Sequence, residues 1–218
     1  MQKLETLELA IGDNIDASII WLHGLGADGH DFAPMAEAMN LPNVRFIFPH
    51  APHQPVTING GYVMRAWYDL FGLEITSRQD EKGIRATQVA IESLIAKEQQ
   101  RGISPERIIL AGFSQGGAIA LHTALRQRHR LAGVLALSTY LPLKQHLPDE
   151  NHAANHDMPI FMAHGTFDNV ISIEVSKISA SLLKQHGYTV AWHEYPMAHS
   201  VCTEEIADIR SFLRDVLV

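Results

Sequence analysis

The stretch Arg107-Ile108-Ile109-Leu110-Ala111-Gly112-Phe113-Ser114-Gln115-Gly116-Gly117-Ala118 decides how this chain folds. Its first five residues are apolar and β-branched at the centre, which reads as a buried strand. The residues from Gly117 to Leu125 have helical composition and spacing, with small side chains on the first turn. Between them lies Gly112-Phe113-Ser114-Gln115-Gly116, a G-x-S-x-G match in the strand–turn–helix setting that this motif requires. Its glycines leave room for a strained turn that holds the Ser114 hydroxyl clear of the backbone. A helix beginning at Gln115 aims its unpaired N–H groups at any anion formed on an attacked carbonyl. Ser114 is thus a candidate nucleophile, and a chance glycine-rich turn is the plain alternative.

Outward from this turn, strand-like runs recur at Ser18–Leu22, Val44–Phe48, Arg107–Phe113, Gly133–Leu137, Pro159–Ala163 and Thr189–His193. Helical patterns fall between them, at Asp31–Met39, Gly83–Gln100, Gly117–Arg126, Glu174–Gln185 and Thr203–Val216. In the longest, Ile84, Val89, Ile91, Leu94 and Ile95 are interleaved with Arg85, Gln88, Glu92 and Lys97, the pattern of an amphipathic surface helix. Alternation of strand and helix predicts an α/β fold with a mostly parallel central sheet and helices on both faces. One segment breaks the rhythm. From Pro49 to Gln79 no long helix is predicted, and the run is rich in turn formers and then in Tyr62, Trp67, Tyr68 and Phe71. A cap-like excursion over residues 49–79 that shapes a site is expected, with a structural flap as the alternative.

The 218 residues suit a single domain over 1–218, with 46% hydrophobic and 19% charged residues, as in an ordinary globular protein. A net charge of −7 argues against a nucleic-acid partner. No basic run or long apolar run points to stable membrane insertion. The chain opens on a charged, mixed segment without the pattern of a secretory leader. Its single cysteine, Cys202, permits no internal disulfide, so a cytoplasmic location is expected.

A serine hydroxyl needs a base, and the base an orienting carboxylate. In a fold of this kind they follow the serine in the order acid, then histidine, each beyond a strand's carboxyl end. Asp168, in His164-Gly165-Thr166-Phe167-Asp168, fits the acid. Asp149, Glu150 and Asp157 lie in a polar loop, while Glu174, Glu204, Glu205 and Asp208 read as solvated helix faces. Of thirteen histidines, His199 follows the last strand and precedes the last helix, where the base belongs. His146, His152 and His156 fall in the polar loop, His186 at a helix end and His193 within a strand. The second oxyanion donor, beside the N–H of Gln115, is expected from His23-Gly24-Leu25-Gly26, with Leu25 in the lead. His23, His50, His53 and His164 sit in different loops without paired-ligand spacing, and His152 with His156 lies off any convincing helix. No metal site and no cofactor are expected.

With these residues assembled, the chain resembles the carboxylesterase/acyl-protein thioesterase (phospholipase/carboxylesterase) family of small α/β-hydrolases. The likeness runs nearly end to end. It rests on His23-Gly24-Leu25-Gly26 with Asp28, on Pro49-His50-Ala51-Pro52 and Met64-Arg65-Ala66-Trp67-Tyr68-Asp69, and on Gly112–Ala118, His164-Gly165 with Asp168, and His199-Ser200. Met64–Asp69 and Gly112–Ala118 look like the bacterial carboxylesterase branch. The resemblance implies Ser114, Asp168 and His199 as a triad, with the amides of Leu25 and Gln115 as oxyanion donors. It also implies hydrolysis of esters of short to medium acyl chains, with lysophospholipids or protein thioesters as the alternative. Two departures stand out. Ser172 replaces the proline that commonly closes the acid loop, and Thr139 replaces a glycine usual in the thioesterase branch. Thr139 is expected to narrow the pocket beside the serine. Trp67, Leu70 and Phe71 of the excursion, with Tyr140 and Leu141, are expected to line the acyl site, Trp67 having core anchoring as its alternative. The partner expected is a small ester or lipid-like molecule, and both a monomer and a homodimer stay open. A non-catalytic ligand-binding module on the same scaffold is the alternative of another class.

Overall fold

The structure, a computed structural model, describes residues 4–72 and 77–217. In chain order the strands are β1 (Thr6–Ile11), β2 (Ala17–Leu22), β3 (Val44–Pro49), β4 (His53–Val56), β5 (Tyr62–Arg65), β6 (Ile108–Phe113), β7 (Gly133–Leu137), β8 (Ile160–Gly165) and β9 (Val190–Tyr195). The helices are α1 (Ala33–Met39), α2 (Glu81–Gln100), α3 (Gln115–Leu125), the single turn α4 (Leu147–Glu150), α5 (Ile173–Gln185) and α6 (Thr203–Leu217). Seven strands form one sheet in the order β1-β3-β2-β6-β7-β8-β9. Only β1 runs antiparallel to its neighbour; the other pairings are parallel.

Each central strand is apolar on both faces because helices cover both. Ile108 and Leu110 of β6 pack with Ile84, Ile91 and Leu94 of α2, Ile119 of α3 and Leu183 of α5. Ile109 and Ala111 pack with Met39 of α1 and with Ile209 and Leu213 of α6. The expected helices appear with ends shifted by one or two residues. Val89, expected on the apolar face of α2, is instead 43% exposed, and Thr87 and Glu98 are buried there.

Two features escape the sequence pattern. Strand β1 carries Glu8 among its apolar residues, and that carboxylate lies 2.8 Å from both Lys97 and Arg101. Burial opposes its ionisation, but these cations prevail and hold its pKa at about 2. The excursion after β3 holds the two-stranded sheet β4–β5, which its prolines and glycines disguise. Its far side is tied down where Asp69 accepts from the N–H and hydroxyl of Thr57 at 2.7 and 2.6 Å. Residues 73–76, which belong to the same excursion, lie outside the described residues.

Candidate active site

Every predicted site residue but those of the excursion stands just beyond the carboxyl end of a sheet strand, where parallel sheets leave a crevice. Ser114 follows β6 with φ 54° and ψ −121°, a left-handed conformation that costs a non-glycine residue on the order of 1–3 kcal/mol. The turn is held from outside. The Ser114 N–H donates to the Leu137 carbonyl at 2.9 Å, and the Thr139 hydroxyl donates to the Ser114 carbonyl at 2.6 Å. Its tightness explains the glycines. A Cβ at Gly112 would lie 2.3 Å from the Gly116 carbonyl carbon, and one at Gly116 would lie 2.4 Å from the Leu22 carbonyl oxygen. Thr139, expected to narrow the pocket, is fully buried beneath the turn and braces it instead.

Asp168 and His199 come together from the ends of β8 and β9. His199 Nδ1 lies 2.7 Å from Asp168 Oδ2, and the aspartate side chain is wholly buried. Asp168 Oδ1 accepts from the N–H groups of Val170 and Ile171, both at 2.9 Å. A buried carboxylate requires such partners, and here they fix its orientation. The rival acids are engaged elsewhere. Glu150 accepts from Arg85 and Arg126, and Asp208 accepts from the Tyr195 hydroxyl. Glu205, expected on a solvated face, is completely buried, and burial pushes its pKa up to about 8.

The loop after β2 is locked by His23. Its Nε2 accepts from the Ala51 N–H at 3.0 Å, and its Nδ1 donates to the Gly24 carbonyl at 2.7 Å. Both bonds need a neutral ring, and burial holds the pKa down at about 4. The Gly26 N–H donates to the Arg65 carbonyl at 2.9 Å, which completes the clamp around Leu25. Gln115 opens α3, so its N–H has no carbonyl partner one turn back within the helix. Its side chain does something the sequence did not reveal. Oε1 accepts from the Trp67 N–H and Nε2 donates to the Tyr68 carbonyl, both at 2.8 Å, so Gln115 carries the excursion.

Ser114, His199, Leu25 and Gln115 line one cavity of about 310 Å³. Leu70 and Tyr140 also line it, together with Tyr68, Phe113, Ile58, Val170 and Ile171. Three expected contacts do not. Trp67 is 2% exposed, stacks within 5.0 Å of the His23 ring and donates its Nε1–H to the His23 carbonyl, so it anchors the excursion. Phe71 turns away beneath the Arg78 guanidinium, because side chains alternate along the extended run that brings Leu70 inward. Leu141 is buried, its N–H bound to the Ser179 hydroxyl, and it lines a smaller recess behind Tyr68, Leu70 and Tyr140. Tyr68 was legible in principle, since it stands two residues before Leu70 on the same alternation. Its hydroxyl meets that of Tyr140 at 2.8 Å.

Asp28, His30 and His50 approach within ligating range of one another, although His50 comes from another loop. One polar atom of each is already engaged. His50 Nδ1 accepts from the Gly29 N–H, which places the ring proton on Nε2, and His30 Nδ1 bonds to Asp28 Oδ1. A cation there would have to break one of these bonds.

Comparison with known proteins gives this geometry a family. The chain matches the phospholipase/carboxylesterase family over residues 10–217. Acyl-protein thioesterase 1 of Neurospora crassa is 40% identical over 213 residues, covering 92% of this chain and 87% of that protein. Its namesake from Yarrowia lipolytica is 39% identical over 207 residues, 91% of each. Among solved structures, SOBER1 of Arabidopsis thaliana superposes with a TM-score of 0.89 at 31% identity, covering 93% of this chain and 99% of that one. Acyl-protein thioesterase 2 of Zea mays gives 0.89 at 27% identity over 98% and 99%. The two fungal relatives and the maize protein carry thioesterase names. With the serine turn, the sheet order and the near-complete family match in agreement, the chain belongs to the phospholipase/carboxylesterase family of α/β-hydrolases.

Proposed function

We propose that this protein is a serine esterase in which Ser114, His199 and Asp168 act as a triad on carboxylic esters of short to medium acyl chains. The observation that carries this reading is the 2.7 Å pairing of His199 Nδ1 with a buried Asp168 carboxylate, in the cavity that Ser114 also lines. With Nδ1 committed to the carboxylate, Nε2 is the ring atom left to take the serine proton. Ser114 attacks the carbonyl, and the oxyanion is held by the N–H groups of Leu25 and Gln115. His199 then returns the proton to the departing alcohol. A water deprotonated by the same ring releases the acyl group from Ser114. No metal or cofactor enters these steps. A cytoplasmic location belongs to the proposal and rests on the lone Cys202. No described helix is long and apolar enough to cross a membrane.

The names of the relatives at about 40% identity favour a second reading, in which the same machinery cleaves a thioester. The deciding measurement is a panel of p-nitrophenyl esters of increasing chain length, run beside an acyl thioester and a lysophospholipid. Higher kcat/KM on the thioester than on every ester would replace the first reading by the second. The Ser114→Ala variant should lose on the order of 10⁴- to 10⁶-fold in kcat with its fold intact. An acyl-enzyme burst surviving in that variant would remove Ser114 from the mechanism.

A further inference from the structure

His164 stands near the end of β8, four residues before Asp168, and its side chain is fully buried. Its Nε2 lies 2.8 Å from the Ile171 carbonyl oxygen and 3.2 Å from Asp168 Oδ2. A carbonyl only accepts, so Nε2 carries the ring proton and donates it to Ile171, with Asp168 Oδ2 close beside it. Nδ1 is buried without a partner, which suits a bare lone pair and excludes a second proton. Burial, the largest influence on this ring, also lowers its pKa and keeps it neutral.

The Ile171 N–H donates in turn to Asp168 Oδ1. His164, Ile171 and Asp168 are therefore linked in a chain of hydrogen bonds. Among the described residues Asp168 accepts three donors, two backbone N–H groups on Oδ1 and the His199 imidazole on Oδ2. The backbone donors fix one carboxylate oxygen. The other, which faces His199, has no backbone donor among the described bonds, and His164 Nε2 lies 3.2 Å from it. The titratable or charged groups around the His164 ring are Asp168, His199 and Glu194, the last opposite His164 in the β8–β9 register.

We propose that His164 is a positioning residue: its neutral Nε2–H, donated to the Ile171 carbonyl, steadies the turn whose N–H groups hold Asp168, and stands 3.2 Å from the Oδ2 that meets His199. This rests on the triad reading above. Without that donor the carboxylate is free to turn, and its charge falls more fully on His199. The turnover rate then drops, and protonated His199 is favoured, which moves the acid limb of the pH–rate profile upward.

Three variants test this. His164→Gln places an amide N–H where Nε2 was, His164→Asn carries its amide at the Nδ1 position, and His164→Leu has no donor. The Leu and Asn variants should lower kcat about 10- to 100-fold, with KM within about twofold of the parent. Their acid limb in kcat/KM should rise by about half a pH unit, while Gln restores most of the rate and the parental limb. Unchanged kcat and acid limb in the Leu and Asn variants would overturn the proposal, and so would a Gln variant as slow as Asn. Should the Leu variant fail to fold by circular dichroism, the contrast between Asn and Gln decides alone. Ser114→Ala and His199→Gln are run beside them. Hydrolysis surviving in those two means the triad reading has failed, whereas its loss there with a parental His164→Asn defeats only the positioning role.

Discussion

At the scale of single residues, the site is held in part by side chains that stand outside its cavity. His23 is the clearest case. Two hydrogen bonds through opposite ring nitrogens tie the loop bearing Leu25 to the start of the excursion, and the Trp67 indole covers the ring. Replacing His23 by alanine strands the Ala51 N–H and opens a cavity, at a stability cost of about 2–4 kcal/mol. The same change should lower kcat more than it raises KM, because the Leu25 amide, the proposed oxyanion donor, loses its fixed aim. Urea unfolding together with steady-state kinetics on a short ester checks both. A KM increase with kcat preserved would mean that the loop binds substrate rather than steadying the reaction. Such residues were only partly legible. Ser114, Asp168 and His199 announce themselves by motif, order and strand end, whereas the bonds of Gln115, Thr139 and His164 depend on which loops meet. No local pattern encodes those meetings.

At the scale of elements, what the sequence disclosed and what it hid divide along a physical line. Strands apolar on both faces and helices with one apolar stripe carry their periodicity openly, so β2, β3, β6, β7, β8 and the five longer helices were readable, and the mixed edge strand β9 was readable in part. Strand β1 hides because its edge position lets Glu8 replace an apolar residue and pair with α2. The β4–β5 hairpin hides because Pro55, Gly60 and Gly61 read as turn. The wall formed by Tyr68, Leu70 and Tyr140 belongs to this level, since the excursion and the loop after β7 each supply part of it. Each buried methylene of an acyl chain is worth about 0.8 kcal/mol, so kcat/KM should climb several-fold per carbon until the chain meets that wall. Leu70→Ala should shift the optimum toward longer chains with little effect on acetyl esters. Equal losses on short and long esters, with a lowered Tm, would make the wall mere support.

At the scale of the whole molecule, buried ionisable groups set a window of pH. His23 and His122 have folded pKa values of about 4 and about 3, below the usual 6.5 for histidine, because burial disfavours their charged forms. Their neutral forms stabilise the fold fully above about pH 6.5, and that contribution is lost as the pH falls toward 4 and 3. Glu205 works in the opposite direction. Its folded pKa of about 8 stands above the ordinary 4.5, so stability drains away as the pH rises from 4.5 toward 8. Glu205→Gln should therefore gain on the order of 2 kcal/mol over the parent near pH 8. The gain should vanish toward pH 5, as thermal melts across that range would register. A constant difference between the two proteins at every pH would show that Glu205 is not the titrating group.

The order of the strands has a further consequence, for how the molecule fails. Ser114 stands after β6, enclosed between β2 and β7, but His199 stands after β9, which has a sheet neighbour on one side only. Marginal strands open locally at lower free energy than central ones. Mild urea should thus detach His199, the proposed base, while the surroundings of Ser114 persist, and activity should vanish before far-ultraviolet circular dichroism changes. Amide exchange should be faster in β9 than in β6. Loss of activity and of secondary structure at one common urea concentration would instead mark the sheet as a single cooperative unit.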